Sequence, residues 1–276
     1  MTATERLASR GVSIAATRFV ETNGDMLELE LTQGNPVLLQ LVLAEVFAPA
    51  DLLVAAGDIK PPNLLVSDMD STIIGQECID ELADYAGLKA QVAAITERAM
   101  RGELDFRNAL QQRVALLAGL PETAIAECLE ERIEPNGGAR ELLDALKRHG
   151  CRTVLVTGGF HQFADPLAGD LGFDRVVANR LAALNGTLTG ELLDPICDAG
   201  TKAQVVLEEL ERLGPSAVVL ALGDGANDAA MLRAADYGIA FHAKPAARKV
   251  ATGSISRGNL SSILRLLGGA PSGLLR

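Results

Sequence analysis

Apolar and polar positions alternate with a period of two along residues 12–31, where Leu27, Leu29 and Leu31 are interleaved with Glu28 and Glu30. That period turns one face of an extended segment toward a core, and Asn23-Gly24 in its middle is a turn-forming pair, so a β-hairpin is predicted. Asn35 followed by Pro36 has the form of an N-cap and a first-turn proline, which predicts a helix over 37–47 packed on the hairpin. Lys60-Pro61-Pro62 then interrupts any regular element, because two successive prolines continue neither a helix nor a central strand. A boundary is placed there. Residues 1–62 are expected to form a small α+β accessory unit, compatible with a regulatory, dimerising or merely covering role, and residues 63–276 the main unit.

Past residue 62 the pattern changes to short apolar runs at 64–66, 153–156 and 217–222, each ending in small or acidic residues: Ser67-Asp68, Thr157-Gly158-Gly159 and Gly223-Asp224-Gly225. Helical periodicity lies between them, and uninterrupted apolar runs of this length suit strands covered on both faces, so a Rossmann-like α/β core with a parallel sheet is predicted. Periodic stretches at 79–85, 91–100, 106–118 and 122–133 exceed what one crossover helix needs. The surplus, at about 75–136, is expected to be an inserted helical cap, with Gly75 and residues 135–138 as its hinges. Asn185-Gly186 marks a second hairpin on the rim of the sheet. Lys147-Arg148-His149-Gly150 has basic residues in a last turn followed by glycine, so His149 reads as a helix terminus rather than a base.

Composition narrows the function classes. The 276 residues contain no tryptophan and 3% aromatics, so the core is aliphatic. A formal net charge of −11 opposes binding to nucleic acid or to an anionic membrane surface. The most apolar stretch, 37–56, is broken by Glu45, Pro49 and Asp51, which a bilayer core tolerates poorly. Cys78, Cys128, Cys151 and Cys197 are far apart with no CxxC pair, and no basic-then-apolar leader follows Met1; a reduced cytoplasmic protein is the expectation. A homodimer is compatible with the sequence, which does not fix the oligomeric state.

In an open α/β sheet ligands bind beyond the carboxyl ends of the strands, which singles out Asp68, Asp70, Thr157, Gly158, Gly159 and Asp224. The fold would crowd Asp68 and Asp70 against Asp224 and Asp228. Like charges so placed repel unless a cation sits among them, and an all-oxygen donor set without histidine suits Mg²⁺. His161 and His242 match no zinc spacing. A lone Asp-x-Asp is most often a solvated loop. The joint placement of both acidic centres after buried strands, with Lys202 upstream of Asp224, is far harder to obtain by accident.

Taken together, Asp68-Met69-Asp70-Ser71-Thr72, Thr157-Gly158-Gly159, Lys202 and Gly223-Asp224-Gly225-Ala226-Asn227-Asp228 resemble the four motifs of the haloacid dehalogenase superfamily, in its order. Glu77, Met100-Arg101-Gly102, Phe106, Arg113-Val114, Phe160 and Ala178-Asn179-Arg180-Leu181 resemble the phosphoserine phosphatases within it. The likeness spans roughly residues 63–268. It implies that Asp68 is a nucleophile forming an aspartyl-phosphate, with Asp70 as general acid and base. Asp68, the main-chain carbonyl of Asp70 and Asp224 would hold Mg²⁺, with Asp228 behind them. Lys202, Thr157, Gly158, the amide of Gly159 and Asn227 would hold the phosphoryl group. In the cap, Glu77 would meet the ammonium of phosphoserine and Arg113 its carboxylate, with Met100 and Phe106 walling the pocket. Without the resemblance, Arg113 in Gln111-Gln112-Arg113 would read as a solvated helix face, and Met100 and Phe106 as cap packing. Thr157 stands where these phosphatases commonly carry serine; the hydroxyl is kept and a methyl added.

Two alternatives share parts of this pattern. A phosphatase of the same superfamily acting on another small phosphomonoester would need no paired Glu77 and Arg113. A phospho-accepting signalling module also uses a strand-end aspartate, but it places the acidic pair before the acceptor and has no cap. Cation pumps share the motif around Asp224 and require several membrane spans, for which no candidate stretch exists in the sequence.

Overall fold

The computed structural model of the chain describes residues 2–20, 26–32, 34–100 and 103–268. It opens with a helix α1 (Ala3–Ser9), whose capping box joins the Thr2 hydroxyl to the Glu5 amide and the Glu5 carboxylate to the Thr2 amide. This T-x-x-E signal was legible and is absent from the predicted elements. The hairpin β1 (Ile14–Val20) and β2 (Met26–Leu31) forms as the alternation predicts; its Asn23-Gly24 turn lies outside the described residues. In α2 (Pro36–Val46) the Asn35 side chain accepts hydrogen bonds from the Val37 and Leu38 amides, and the helix buries Leu39 and Leu43 with Leu7 and Val12 in a small core.

The remaining strands form one eight-stranded sheet in the order β3-β10-β9-β8-β4-β5-β6-β7. They are β3 (Leu52–Leu53), β4 (Leu64–Ser67), β5 (Arg152–Phe160), β6 (Arg175–Leu184), β7 (Thr187–Leu193), β8 (Val219–Gly223), β9 (Tyr237–Phe241) and β10 (Gly253–Ile255). Pairing is parallel from β10 to β6 and antiparallel at both edges, where β3 joins β10 and β7 joins β6. Alternate residues of the central strands enter two separate cores. Leu65, Leu155, Leu220 and Leu222 lie on one side, Leu64, Val66, Val154, Val156, Val219 and Ala221 on the other. Burial on both faces explains why these strands are apolar at every position; each fully buried Val or Leu contributes about 1.5–3 kcal/mol of transfer free energy.

Helices α7 (Ala139–Arg148), α8 (His161–Leu171), α9 (Ala199–Leu213), α10 (Ala229–Ala234), α11 (Pro245–Arg248) and α12 (Ser262–Gly268) follow the cap in chain order. His149 is the C-cap of α7, as its sequence context predicts. The cap itself is α3 (Cys78–Tyr85), α4 (Lys89–Met100), α5 (Phe106–Ala115) and α6 (Thr123–Arg132), with Arg132 reaching back to Asp84 and Glu81 of α3. Here α5 ends three residues before the predicted 118. Gly119, at φ 87°, takes the chain out of the helix, and its amide donates to the Leu188 carbonyl on β7. The β6–β7 flap turns at Asn185 and Gly186, both at positive φ, as a tight hairpin turn requires. Among the described residues no helix is long and apolar enough to cross a membrane.

Candidate active site

The site forms at the carboxyl ends of three adjacent strands. At the end of β4 the Asp68 amide donates to the Leu222 carbonyl of β8 at 3.0 Å, which fixes the carboxylate beside the β8 loop. Asp68 Oδ1 accepts from the Met69 amide at 2.8 Å and lies 2.7 Å from Lys202 Nζ. Lys202, on α9, is buried and places the same ammonium 2.7 Å from Asp228 Oδ1. The other Asp228 oxygen accepts from the Asp224 and Gly225 amides, at 3.1 and 2.9 Å. Asp228 is thus fully occupied in shaping the loop that presents Asp224. One oxygen from each of Asp68, Asp224 and Asp228 falls within 4.8 Å of the others. A Cβ on Gly223 would sit 2.5 Å from Asp228 Cγ, so only glycine allows this carboxylate to fold against the strand end.

Three carboxylates against one buried ammonium leave a negative site lined by hard oxygen donors. That balance fits a divalent cation of the Mg²⁺ type.

Thr157, Gly158 and Gly159 were expected in a loop after the second strand; they lie within β5, which runs on to Phe160. The extension has a cause. The Gly158 carbonyl accepts from Asn179 Nδ2 of β6 at 2.7 Å, while Asn179 Oδ1 accepts from the Cys197 amide, so buried Asn179 keeps the chain extended. The Thr157 hydroxyl accepts from the Gly159 amide at 2.9 Å. A Cβ on Gly159 would lie 2.8 Å from Asp70 Oδ2, and one on Gly158 would lie 3.3 Å from the Phe106 ring. These two glycines let the general-acid candidate on one side and the cap on the other approach the same backbone. Asn227 lies in a short 3₁₀ turn, Ala226–Asp228, with its Oδ1 over Gly225.

The family model of the haloacid dehalogenase-like hydrolases matches residues 65–233, which contain all of these groups. The chain belongs to this family. A phosphoserine phosphatase of Albidiferax ferrireducens is 46% identical over 210 residues, covering 74% of this chain and 89% of that protein. One of Mycobacterium tuberculosis is 43% identical over 270 residues, covering 95% of this chain and 66% of its own length. A solved phosphoserine phosphatase carrying a phospho-aspartyl intermediate analogue superposes with a TM-score of 0.68 at 35% identity, over 75% of this chain and 99% of that one. Within the haloacid dehalogenase-like hydrolases, this chain therefore groups with the phosphoserine phosphatases.

The electrostatics of this hydrolase site are those of charges removed from water. Burial pushes the Asp68 carboxyl up, Lys202 opposes that push, and Asp228 adds to it. Burial would lower the Lys202 ammonium, but Asp68 and Asp228 outweigh it and hold the pKa above its ordinary value. Asp70, half-buried, is pushed up to about 7 by burial and by the Glu77 carboxylate; the Cys78 amide, donating at 3.1 Å, works against this. A carboxyl titrating near neutrality can both give and take a proton.

Glu77 precedes α3 and accepts from the Ser71 hydroxyl at 2.9 Å; Ser71 itself sits at φ 54°, bending the chain out of the β4 loop toward the cap. Burial raises the Glu77 carboxyl. Arg113, in the last turn of α5, donates from Nε to the Ala109 carbonyl at 3.4 Å and is half-buried. Burial lowers its pKa while Asp80, Glu77 and Asp70 favour its charge. Phe106 is 42% exposed at the cap edge. The Met100 side chain, and Arg101-Gly102 after it, lie outside the described residues.

One member was missed. Lys244, after β9, places Nζ 3.0 Å from Asp224 Oδ2, and its amide donates to the Asp224 carbonyl at 2.8 Å. The available signal was a fourth strand end, Tyr237–Phe241, followed by Lys244-Pro245, a helix start that holds the lysine at the sheet's carboxyl edge.

Proposed function

We propose that this enzyme hydrolyses O-phosphoserine to serine and phosphate through an aspartyl-phosphate on Asp68. The observation that carries the reading is the position of Asp68: at the end of the central strand, held by Lys202 at 2.7 Å, with a cap that supplies both an anionic carboxylate, Glu77, and a guanidinium cation, Arg113. Solved and curated relatives bearing the phosphoserine phosphatase name support it.

The carboxylate of Asp68 attacks phosphorus, and Asp70 gives its proton to the departing serine oxygen; Asp70 then takes a proton from the water that cleaves the acyl phosphate. Lys202, Asn227, the Thr157 hydroxyl and the Gly158-Gly159 backbone orient the phosphoryl oxygens and balance their charge. Asp68, the Asp70 carbonyl and Asp224 would hold Mg²⁺, with Asp228 and Lys244 fixing the Asp224 loop. When bound, the ion supplies concentrated positive charge to the carboxylates and the phosphoryl group. Arg113 offers its two terminal amino groups to the substrate carboxylate, Glu77 its charge to the ammonium, and Phe106 closes the apolar wall.

We divide the chain into an accessory unit, 1–62, and a catalytic unit, 63–276, with its cap at about 75–136. The four cysteines are buried and unpaired, which supports a cytoplasmic setting; a phosphoserine substrate and a serine product support a place in serine biosynthesis. A turnover screen over small phosphomonoesters, with and without Mg²⁺, tests the whole reading: phosphoserine should lead by a wide margin and only with the metal. A sugar phosphate turned over as well as phosphoserine would sink the assignment.

A further inference from the structure

Among the contacts between the N-terminal unit and the catalytic core, the densest centres on one residue outside the acidic site. Asp51, just before β3, accepts three consecutive backbone amides of the 256–258 loop: Ser256 at 2.6 Å and Arg257 at 2.9 Å on Oδ1, and Gly258 at 2.9 Å on Oδ2. A Cβ on Gly258 would fall 1.9 Å from Ser262 Oγ and 2.5 Å from Asp51 Oδ2, so the loop is moulded onto the carboxylate with no space between. Around it, β3 pairs with β10, the Val54 amide donates to the Thr252 carbonyl, and buried Gln40 donates to the Ser254 hydroxyl at 3.2 Å.

The same loop continues into the hinge of the cap. Leu260 donates its amide to the Gly137 carbonyl at 3.0 Å. Gly138, at φ 82°, could not carry a Cβ, which would lie 2.3 Å from the Ser261 nitrogen and 2.9 Å from Asn259 Oδ1. Asn259 Oδ1 in turn accepts from the Ser261 amide and hydroxyl, which keeps that turn closed. On the far side of the hinge, Asn136 donates its amide to Ile73 at 2.7 Å and its side chain to the Thr72 carbonyl at 2.8 Å. Thr72 and Ile73 belong to the turn that begins at Met69, between Asp68 and Asp70.

We propose that Asp51 is a positioning residue for the cap: through the 256–261 loop it braces the 136–138 hinge, and so sets how readily the cap closes on substrate. Three adjacent amides on one carboxylate hold a loop far more rigidly than one contact does, because moving any one of them strands the others. The hinge packs against that loop through glycines with no side chain to absorb slack. Loosening Asp51 therefore costs the closed state its preorganised hinge, while Asp68 and Lys202 are held by bonds that do not involve this loop. Binding should weaken more than the chemical step.

The test measures KM and kcat for phosphoserine in Asp51→Ala, Asn259→Ala and the double variant, well below their melting temperatures. Amide exchange over residues 134–139 is followed in parallel. Asp51→Ala should raise KM by roughly two- to thirty-fold, the range by which residues remote from a site modulate it, with kcat changing much less. Exchange at 134–139 should quicken although position 51 does not touch that segment. The double variant should be no worse than the poorer single one, because both remove the same brace. Asp51→Asn, which keeps one acceptor oxygen, should recover part of the loss and serves if the alanine variant fails to fold. A lowered melting temperature with unchanged KM and unchanged exchange at 134–139 would overturn the proposal, as would additive effects. The proposal rests on the phosphoserine reading for its substrate alone; a wild-type enzyme inactive on phosphoserine would sink that reading, while the exchange at 134–139 still decides the brace.

Discussion

Replacing Arg113 by alanine separates a phosphoserine enzyme from a general small-molecule phosphatase. In the structure Nε is already committed to the Ala109 carbonyl, which leaves the two terminal nitrogens as a planar fork for a carboxylate. The side chain is half-buried in the cap, among Asp80, Glu77 and Asp70, and a substrate beneath it would desolvate it further. Truncating one partner of such a pair costs on the order of 2–4 kcal/mol, or roughly 30- to 900-fold in kcat/KM for phosphoserine. The lower half of that range is expected, because Arg113 still touches water. Phosphoethanolamine is the control: it keeps the ammonium that we propose Glu77 addresses and lacks the carboxylate. Arg113→Ala should leave its kcat/KM within a few-fold, and Arg113→Lys should restore only part of the phosphoserine activity, since one ammonium cannot reproduce a two-point grip. Assays need saturating Mg²⁺ so that metal affinity does not enter. Equal losses on both substrates would show that Arg113 merely supports the cap, and the reasoning would fail.

Asp68→Asn should retain the fold and phosphoserine binding but abolish turnover, and acid-quenched enzyme should lose the hydroxylamine-sensitive phosphoryl label of the wild type; an undiminished label would refute the nucleophile. Asp224→Ala should raise the Mg²⁺ concentration for half-maximal activity at least about tenfold, since even residues behind metal ligands cost 10–100-fold; an unchanged titration would remove Asp224 from the ligand set. Glu77→Gln should move the alkaline limb of the kcat/KM profile to lower pH. The sign follows from Asp70, which is pushed up to about 7 by burial and by Glu77 and, as the proposed general acid, would be protonated when serine leaves. Removing the Glu77 charge lets Asp70 lose its proton earlier as pH rises, and a limb that moved upward or stayed would contradict the assignment.

Local rules carried the parts of this molecule that local chemistry determines. Asn35-Pro36 starts a helix because an amide oxygen and a missing N–H suit that position wherever it occurs, and Asn185-Gly186 turns because both residues tolerate positive φ. The acidic cluster was legible for a different reason: each member sits at a strand end, and a parallel sheet brings strand ends together. What depended on distant partners was not legible. Residues 157–159 look like a loop, and Asn179 on the neighbouring strand holds them extended. The helix at 106 stops early because Gly119 finds a partner on β7. Leu52–Leu53 is too short to announce itself as a strand, and joins the sheet only because β10 is there to receive it. Lys244 is an ordinary surface lysine until the β9 loop lays it against Asp224.

The contact between cap and flap has a consequence for how such an enzyme can diverge. Three hydrogen bonds fasten the turn after α5 to the β6–β7 hairpin: Gly119 to the Leu188 carbonyl, Leu188 to the Leu120 carbonyl and Glu122 to the Gly186 carbonyl. Every one of them is main chain to main chain. A latch written in the backbone is indifferent to side-chain identity, so the residues that face the substrate are free to drift without unfastening the lid that carries them. Selectivity and closure are in that sense inherited separately. New substrates can be explored by point substitution within the cap, whereas proline at 119, 122 or 188, which lacks the needed N–H, would damage the lid whatever the substrate.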